Sequence, residues 1–366
     1  MPTASRVVVV PQELGKPLEV VDCLLPDPGP HEVVVEQYAS GICHSQLHTI
    51  HNPRAAAQIL GHESTGVVTA VGSDVDGLAV GDTVMVTWVP KDQQQARREG
   101  ALMTLELPDG RRAVSRNVFT WATHTLADEM FVVKVPADIE REATAIVGCA
   151  VITGAGAVLH TAAVQPGDTV AIFGVGGVGL SAVAAARKCG ADPIIVVDLS
   201  EEKLSFATRF GATHGVNASE VDPVAAIREL TVRHGRYDIM REPLRGVDFA
   251  FDCIGAPVTM RQIAECVRSG EFGQSRGGVA VLVGVPQTPL ELDSRFLFIG
   301  ERSYRASLGG SCVPGEDLPR FLEWYAQGDL DLDALVTRRY TIDEIAEAVE
   351  DLEHGRITGR SILVFT

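Results

Sequence analysis

The sequence predicts an α/β protein of two domains, one β-rich and one built on a doubly wound parallel sheet. Three observations carry this reading. The chain has 366 residues, too many for one comfortable hydrophobic core. Its first half is dominated by β-branched runs cut by proline and glycine turns. From about Val151 onward, short apolar strands alternate with helical segments, the rhythm of βαβ units on a parallel sheet. Residues 1–150 and 309–366 are assigned to the first domain and 151–308 to the second, the C-terminal stretch being expected to return to the first.

The runs Val7–Val10, Leu18–Leu24 and Glu32–Ser40 are the first strands, separated by Gly15-Lys16-Pro17 and by the proline-rich turn from Pro26 to Pro30. Gly66–Val71 and Asp82–Trp88 continue the pattern. Lys91–Ala101 is the clearest helical signal there, polar on nearly every face. In the second domain Thr169–Phe173 and Ile194–Val197 read as strands, each followed by a helix (Gly177–Lys188 and Glu201–Phe210). Phe249–Asp252 and Val279–Val283 are later strands. Arg233–Gly246 and Ser269–Gly278, rich in glycine and arginine, read as surface loops. A helix (Leu318–Gln327), a strand (Val336–Tyr340), an amphipathic helix (Ile342–Leu352) and a last strand (Ser361–Phe365) close the chain.

Composition narrows the function. A formal net charge of −17 disfavours nucleic acid or an anionic membrane as partner, since both need a basic face. No signal-peptide pattern opens the sequence, and no apolar run reaches the roughly 18 residues that span a bilayer. The seven cysteines are odd in number and scattered, which fits reduced thiols and a cytoplasmic protein. Cys23, Cys189, Cys253, Cys266 and Cys312 are expected to be small buried hydrophobes.

Gly174-Val175-Gly176-Gly177-Val178-Gly179 is a dinucleotide fingerprint in the context it requires, between a strand and a helix start. Gly174 permits the turn, Gly176 lets the backbone approach a pyrophosphate, and Gly179 allows close helix–strand packing. The phosphates would rest on free N–H groups at the helix N-terminus. Asp198 ends the next strand, where its carboxylate would accept from the adenosine ribose and repel a 2′-phosphate, so NAD is favoured over NADP. Cys43, His62 and Cys149 add two thiolates and one imidazole, a zinc set with an open fourth position. The cysteines stand too far apart for spacing alone to define a site. A Lewis-acid metal beside a hydride carrier points to alcohol–carbonyl interconversion.

The segments Gly41-Ile42-Cys43-His44-Ser45, Gly61-His62-Glu63, Val147-Gly148-Cys149, the fingerprint and Gly359-Arg360-Ser361-Ile362 resemble, in order, the zinc-dependent medium-chain alcohol dehydrogenases. The stretches Phe210–Ala218 and Val283–Pro286 are most similar to class III-like actinobacterial members, including thiol-dependent formaldehyde dehydrogenases and dye-linked alcohol dehydrogenases. The resemblance implies a GroES-like catalytic domain joined to a Rossmann domain, with the active site in the cleft between them. It makes Cys43, His62 and Cys149 the ligands of one catalytic zinc, with Glu63 behind the metal as an alternative ligand. It implies that Ser45 takes the substrate hydroxyl proton and passes it through the cofactor ribose towards His48. His44 and Arg360 would neutralise pyrophosphate, Thr153 would touch the nicotinamide, and Lys203 the adenosine ribose. Gly177, Val178, Val283 and Val285 would complete the cofactor site, and Trp88 the wall of the substrate pocket. A homodimer through the edge of the Rossmann sheet is implied in the same way.

Two departures from the family stand out. No cysteine lies between Cys43 and Cys149, so the four-thiolate structural zinc of many members is impossible in that region. Gln46 stands where the family usually has an aspartate that holds a ligand imidazole. Its amide oxygen can still accept a hydrogen bond, but carries no charge, and loss of such a carboxylate weakens metal affinity or activity about 10- to 100-fold. The expected function is a zinc- and NAD-dependent alcohol dehydrogenase or carbonyl reductase acting on a small molecule. Variants are oxidation of a hydroxymethyl thiol adduct and recycling of a permanently held nicotinamide. The alternatives are a zinc-independent reductase of an iminium or activated alkene, and a non-catalytic NAD-binding protein.

Overall fold

The computed structural model describes residues 2–97, 103–271 and 273–365. The chain divides into two compact units, Met1–Ala150 with Val313–Thr366, and Val151–Cys312. The second crossing falls after Cys312, not after 308. The turn Gly309–Ser311 packs within the second unit, where a side chain on Gly310 would strike the Ile152 carbonyl, and Cys312 Sγ donates to that same carbonyl.

The first unit is β-rich. One sheet runs, in spatial order, Glu19–Leu25, Thr3–Val10, Ala57–Ile59, Arg112–Ser115 and Met103–Glu106. A larger sheet centres on Glu32–Ile42, which pairs with Ser64–Val71, His124–Asp128 and the C-terminal strand Arg360–Val364. Ser361 lies opposite Ile42 in antiparallel register. Residues separated by most of the chain are thereby neighbours at the end of the central strand, where Cys43 follows. The valines of Thr3–Val10 and Glu32–Ile42 are almost all withdrawn from water, burial that supplies the main stabilising free energy.

The second unit is a six-stranded parallel sheet in the order His214–Asn217, Ile194–Asp198, Val170–Phe173, Phe249–Asp252, Val279–Leu282, Ser303–Ala306. The strand order reverses between Val170–Phe173 and Phe249–Asp252, which opens a crevice at the carboxyl ends, the usual ligand position in such sheets. The α/β class, β-rich plus doubly wound, is the one expected. Near the opposite ends of the strands, Asp248 accepts from Thr169 N and Oγ1, Arg233 Nη2 and Arg268 Nε at 2.6–2.9 Å. Burial raises the Asp248 pKa, but the arginines and Thr169 outweigh it and hold it at about 2. Its ionised form therefore stabilises the fold fully above the ordinary value of 3.8, and the contribution is lost as pH falls through about 2. Asp248→Asn is expected to lower urea stability by about 2 kcal/mol at neutral pH, and the gap to the parent should close as pH falls from 4 towards 2.

Several elements differ from expectation. Ala143–Ala162 forms one 20-residue helical stretch long and apolar enough, by length and composition, to cross a membrane, contrary to the sequence reading. Its most apolar window is 83% buried inside the protein, so it behaves as core. Within Lys91–Ala101 the described residues form only a single turn, Gln95–Arg97, and 98–101 lie outside the described residues. The helix expected from Leu318 starts at Pro314, because proline suits the first helical turn, where no N–H donor is needed.

Candidate metal centre and cofactor site

Cys43 follows the central strand and precedes the short helix Ser45–His51. His62 and Glu63 immediately precede the neighbouring strand Ser64–Val71. Cys149 lies in Val147–Val151, a wide π-type turn of the buried helical stretch, a distortion often found at functional sites. Thr87 Oγ1 donates to the Gly148 carbonyl at 2.6 Å and fixes that turn. Ligand atoms of Cys43, His62, Glu63 and Cys149 all lie within 4.8 Å of one another. Gly41 makes room for this: a β-carbon there would sit 2.4 Å from the Glu63 carboxyl carbon.

Arg360 joins the cluster from the C-terminal strand. Its Nη2 pairs with Glu63 Oε1, while Glu63 Oε2 accepts from Ala150 N–H at 3.3 Å. Both side chains are almost wholly buried. The negative charge of Glu63 and the thiolates compensates the burial of the Arg360 guanidinium, whose Nε has no hydrogen-bond partner among the described residues. The Cys149 thiol donates to Cys43, which holds the Cys43 pKa well below its ordinary value and, with burial, pushes Cys149 well above. Burial lowers the His62 pKa, but the negative charge of Cys43 and Glu63 wins and raises it. Burial raises the Glu63 pKa against the opposing pull of Arg360.

The donor set fits a divalent zinc ion. With both thiols ionised, Cys43, Cys149 and Glu63 bring three negative charges and Arg360 one positive. The remaining two are what a dication neutralises, and binding displaces the thiol proton that the cysteines otherwise share. Gln46, 4% exposed, spends its amide oxygen on the Cys43 backbone N–H at 3.3 Å. It thus caps the turn before the helix, in place of the expected bond to a ligand imidazole. Ser45 Oγ donates to Cys43 Sγ at 3.2 Å, and His48 lies half-buried one helical turn further on. His44 is exposed, and His51 pairs with Glu353 at the surface. Trp88 is half-buried one residue past Thr87, and its indole Nε1 has no partner among the described residues. Trp121, by contrast, is fully buried and donates to the Gly41 carbonyl.

In the second unit the glycine turn has the geometry a dinucleotide needs. Gly174 has φ +84°. Beyond its own chain neighbours, no described atom lies within 4 Å of the point where a β-carbon on Gly176 would stand, which leaves its backbone open to a ligand. At Gly179 a β-carbon would stand 1.9 Å from the Gly174 carbonyl oxygen. Gly176→Ala should therefore fold with stability within about 0.5 kcal/mol of the parent, yet bind NAD at least about tenfold more weakly because the methyl occupies the open approach. Gly179→Ala should destabilise by more than about 1 kcal/mol. Thermal unfolding and calorimetric titration separate the two outcomes.

Gly177 begins the helix Gly177–Lys188, and Val178 follows, half-exposed. Asp198 accepts from Val175 N at 3.0 Å, and from the Leu199 and Ser200 N–H groups. Its carboxylate thus ties the second strand to the glycine turn, with acceptor capacity left for a ribose. Lys203 lies in the first turn of the next helix, capped by Ser200. Val283 is buried and Val285 is 51% exposed, both just past a strand end on the crevice side. Thr153 is 9% exposed and its hydroxyl lacks a partner among the described residues.

Two family models match the chain: an alcohol dehydrogenase GroES-like domain over residues 29–137 and a zinc-binding dehydrogenase domain over residues 177–327. The chain is 32% identical to an alcohol dehydrogenase class-3 from Cereibacter sphaeroides, with both chains covered completely. It therefore belongs to the zinc-dependent medium-chain alcohol dehydrogenase family, and is an alcohol oxidoreductase that uses zinc and a nicotinamide cofactor. It is also 31% identical to an S-(hydroxymethyl)glutathione dehydrogenase from Paracoccus denitrificans, over 96% of this chain and 98% of that one. Among solved structures, it matches an alcohol dehydrogenase zinc-binding domain protein from Burkholderia ambifaria with TM-score 0.88 and 31% identity. A benzyl alcohol dehydrogenase from Acinetobacter calcoaceticus matches with TM-score 0.83 and 30% identity, and both comparisons cover each chain fully.

Proposed function

We propose that this protein interconverts a small alcohol and its aldehyde or ketone, with NAD as hydride carrier and one catalytic zinc. The observation that carries the residue assignment is the buried, charge-matched cluster of Cys43, His62, Cys149, Glu63 and Arg360. When bound there, zinc supplies a Lewis acid that lowers the pKa of a hydroxyl by many units, and NAD supplies the hydride acceptor. Cys43, His62 and Cys149 hold the metal, and Glu63 is the reserve ligand beside them. Ser45 Oγ, now turned to Cys43, receives the substrate hydroxyl proton, and His48 releases it to solvent. Trp88 forms an apolar wall that orients the substrate. Gly174, Gly176, Gly177, Val178 and Gly179 cradle pyrophosphate on the backbone, with His44 supplying positive charge. Asp198 and Lys203 hold the adenosine ribose, and Asp198 selects against a 2′-phosphate. Thr153, Val283 and Val285 position the nicotinamide half.

Homodimerisation through the edge strand Ser303–Ala306 is supported by its pairing on one side only among the described residues. The odd number and wide scatter of the seven cysteines along the sequence support a cytoplasmic location. The decisive experiment screens primary, secondary and aromatic alcohols and hydroxymethyl thiol adducts for NAD reduction, with zinc quantified in the same preparation. The expected result is turnover on at least one class at close to one zinc per chain. Zinc-loaded, cofactor-binding protein that oxidises none of them would refute the assignment.

A further inference from the structure

The strand Phe249–Asp252 ends where the order of the parallel sheet reverses, and its last residue has none of the roles assigned so far. Asp252 is 0% exposed. Its Oδ1 accepts from the Ile254 N–H at 2.8 Å and the Gly255 N–H at 3.0 Å, and its Oδ2 accepts from Thr259 Oγ1 at 3.0 Å. Burial pushes the Asp252 pKa up, and these three donors pull against it. Thr259 stands in the first turn of the helix Pro257–Cys266, the end whose dipole favours an anion.

The turn held by these bonds is wedged between two others. Ile254 covers the glycine turn: a β-carbon on Gly174 would sit 2.4 Å from Ile254 Cγ1. Towards the next strand, a β-carbon on Gly284 would sit 2.3 Å from the Ile254 carbonyl carbon. One on Gly255, which has φ +85°, would sit 2.7 Å from the Val285 carbonyl oxygen. Backbone bonds close the stack. The Cys253 N–H donates to the Phe173 carbonyl, and the Val283 and Gly284 N–H groups donate to the Asp252 carbonyl, all at 2.8–2.9 Å. Even so, Ile254 is 48% and Val285 51% exposed. A buried carboxylate thus fixes a turn that keeps an apolar side chain in water at the carboxyl end of the sheet, between the pyrophosphate turn and the valines assigned to the nicotinamide half.

We propose that Asp252 is a positioning residue for the cofactor, holding the Ile254–Gly255 turn where the nicotinamide half of NAD packs against it. This rests on the reading that Val283 and Val285 serve that half. The adenosine half, on Asp198 and Lys203, does not depend on the turn. Calorimetric titration of the full chain with NAD and, separately, with adenosine 5′-monophosphate tests the proposal. Asp252→Ala strips two turn N–H groups of their acceptor, and is expected to raise the NAD dissociation constant at least about tenfold. Affinity for adenosine 5′-monophosphate should stay within about threefold of the parent. Asp252→Asn keeps an amide oxygen for both N–H groups and should bind NAD within about threefold of the parent. Gly255→Ala displaces the same turn without touching the carboxylate, and should repeat the Asp252→Ala pattern even where Asp252→Ala does not fold. Circular dichroism should match the parent in every variant that is titrated. Parallel loss of both ligands would overturn the proposal by showing a merely structural role. Asp252→Asn as weak as Asp252→Ala, or folded Asp252→Ala or Gly255→Ala with parental NAD affinity, would overturn it too. A parent that binds no NAD overturns the cofactor reading itself, and is distinguished from these outcomes by the parent titration alone.

Discussion

Replacing Cys43 by serine is expected to empty the metal site and abolish turnover while leaving NAD binding intact. Serine is nearly isosteric, but its hydroxyl does not ionise at neutral pH, so the cluster loses one of the two negative charges that a dication balances. Zinc affinity depends on deprotonated ligands, and metal content should drop from close to one per chain to below about a tenth. Turnover should fall at least about a thousandfold, equivalent to about 4 kcal/mol of lost transition-state stabilisation. The glycine turn and Asp198 belong to the other compact unit, so the NAD dissociation constant should remain within about threefold. Elemental analysis and calorimetric titration on one preparation check both halves. Joint loss of zinc and NAD binding would mean general unfolding instead of loss of a ligand.

Replacing Arg360 by methionine should have the opposite signature: zinc retained, stability lost. Glu63 is 0% exposed, and in the variant its carboxylate keeps only the Ala150 N–H as a hydrogen-bond partner. Breaking a buried pair by removing one member costs about 3–5 kcal/mol, because the remaining charge is left uncompensated. Adding Glu63→Gln to Arg360→Met should recover most of that loss, with a coupling energy of about 1.5 kcal/mol or more in a double-mutant cycle. Zinc should stay near one per chain in the single variant, since all three proposed ligands remain and the net negative charge of the cluster increases. Urea unfolding with metal analysis reads both quantities. A cycle with no coupling would show that Arg360 acts independently of Glu63.

The contrast between these two residues shows how legible each part of the site is. Cys43 can be picked out from its neighbours: the Gly41–Ser45 segment is a compact motif, and thiolates are rarely ambiguous in chemistry. Arg360 can also be picked out, but its partner cannot. Glu63 lies 297 positions away in sequence, and only the pairing of the C-terminal strand with Glu32–Ile42 brings the two together. Gln46 is similar. Its lack of charge is readable, whereas its bond to the Cys43 N–H depends on how tightly the chain turns into the helix Ser45–His51. Ala143–Ala162 escapes detection as a helix because its apolar residues surround it on every face, which erases the periodicity that marks a helix with one wet side.

By itself the sequence determined the local chemistry: an α/β alternation, a glycine turn between strand and helix, an acidic strand end, and ligand types suited to zinc. These follow from backbone permissiveness, side-chain period and donor identity, all of which act over a few residues. The tertiary structure alone decided which charges share the buried cluster and what neutralises them. It also decided that a helix apolar enough for a membrane is core, and that an arginine is a counter-ion within the cluster. Burial makes an unmatched charge too costly to keep, and partners from distant strands are chosen by that cost.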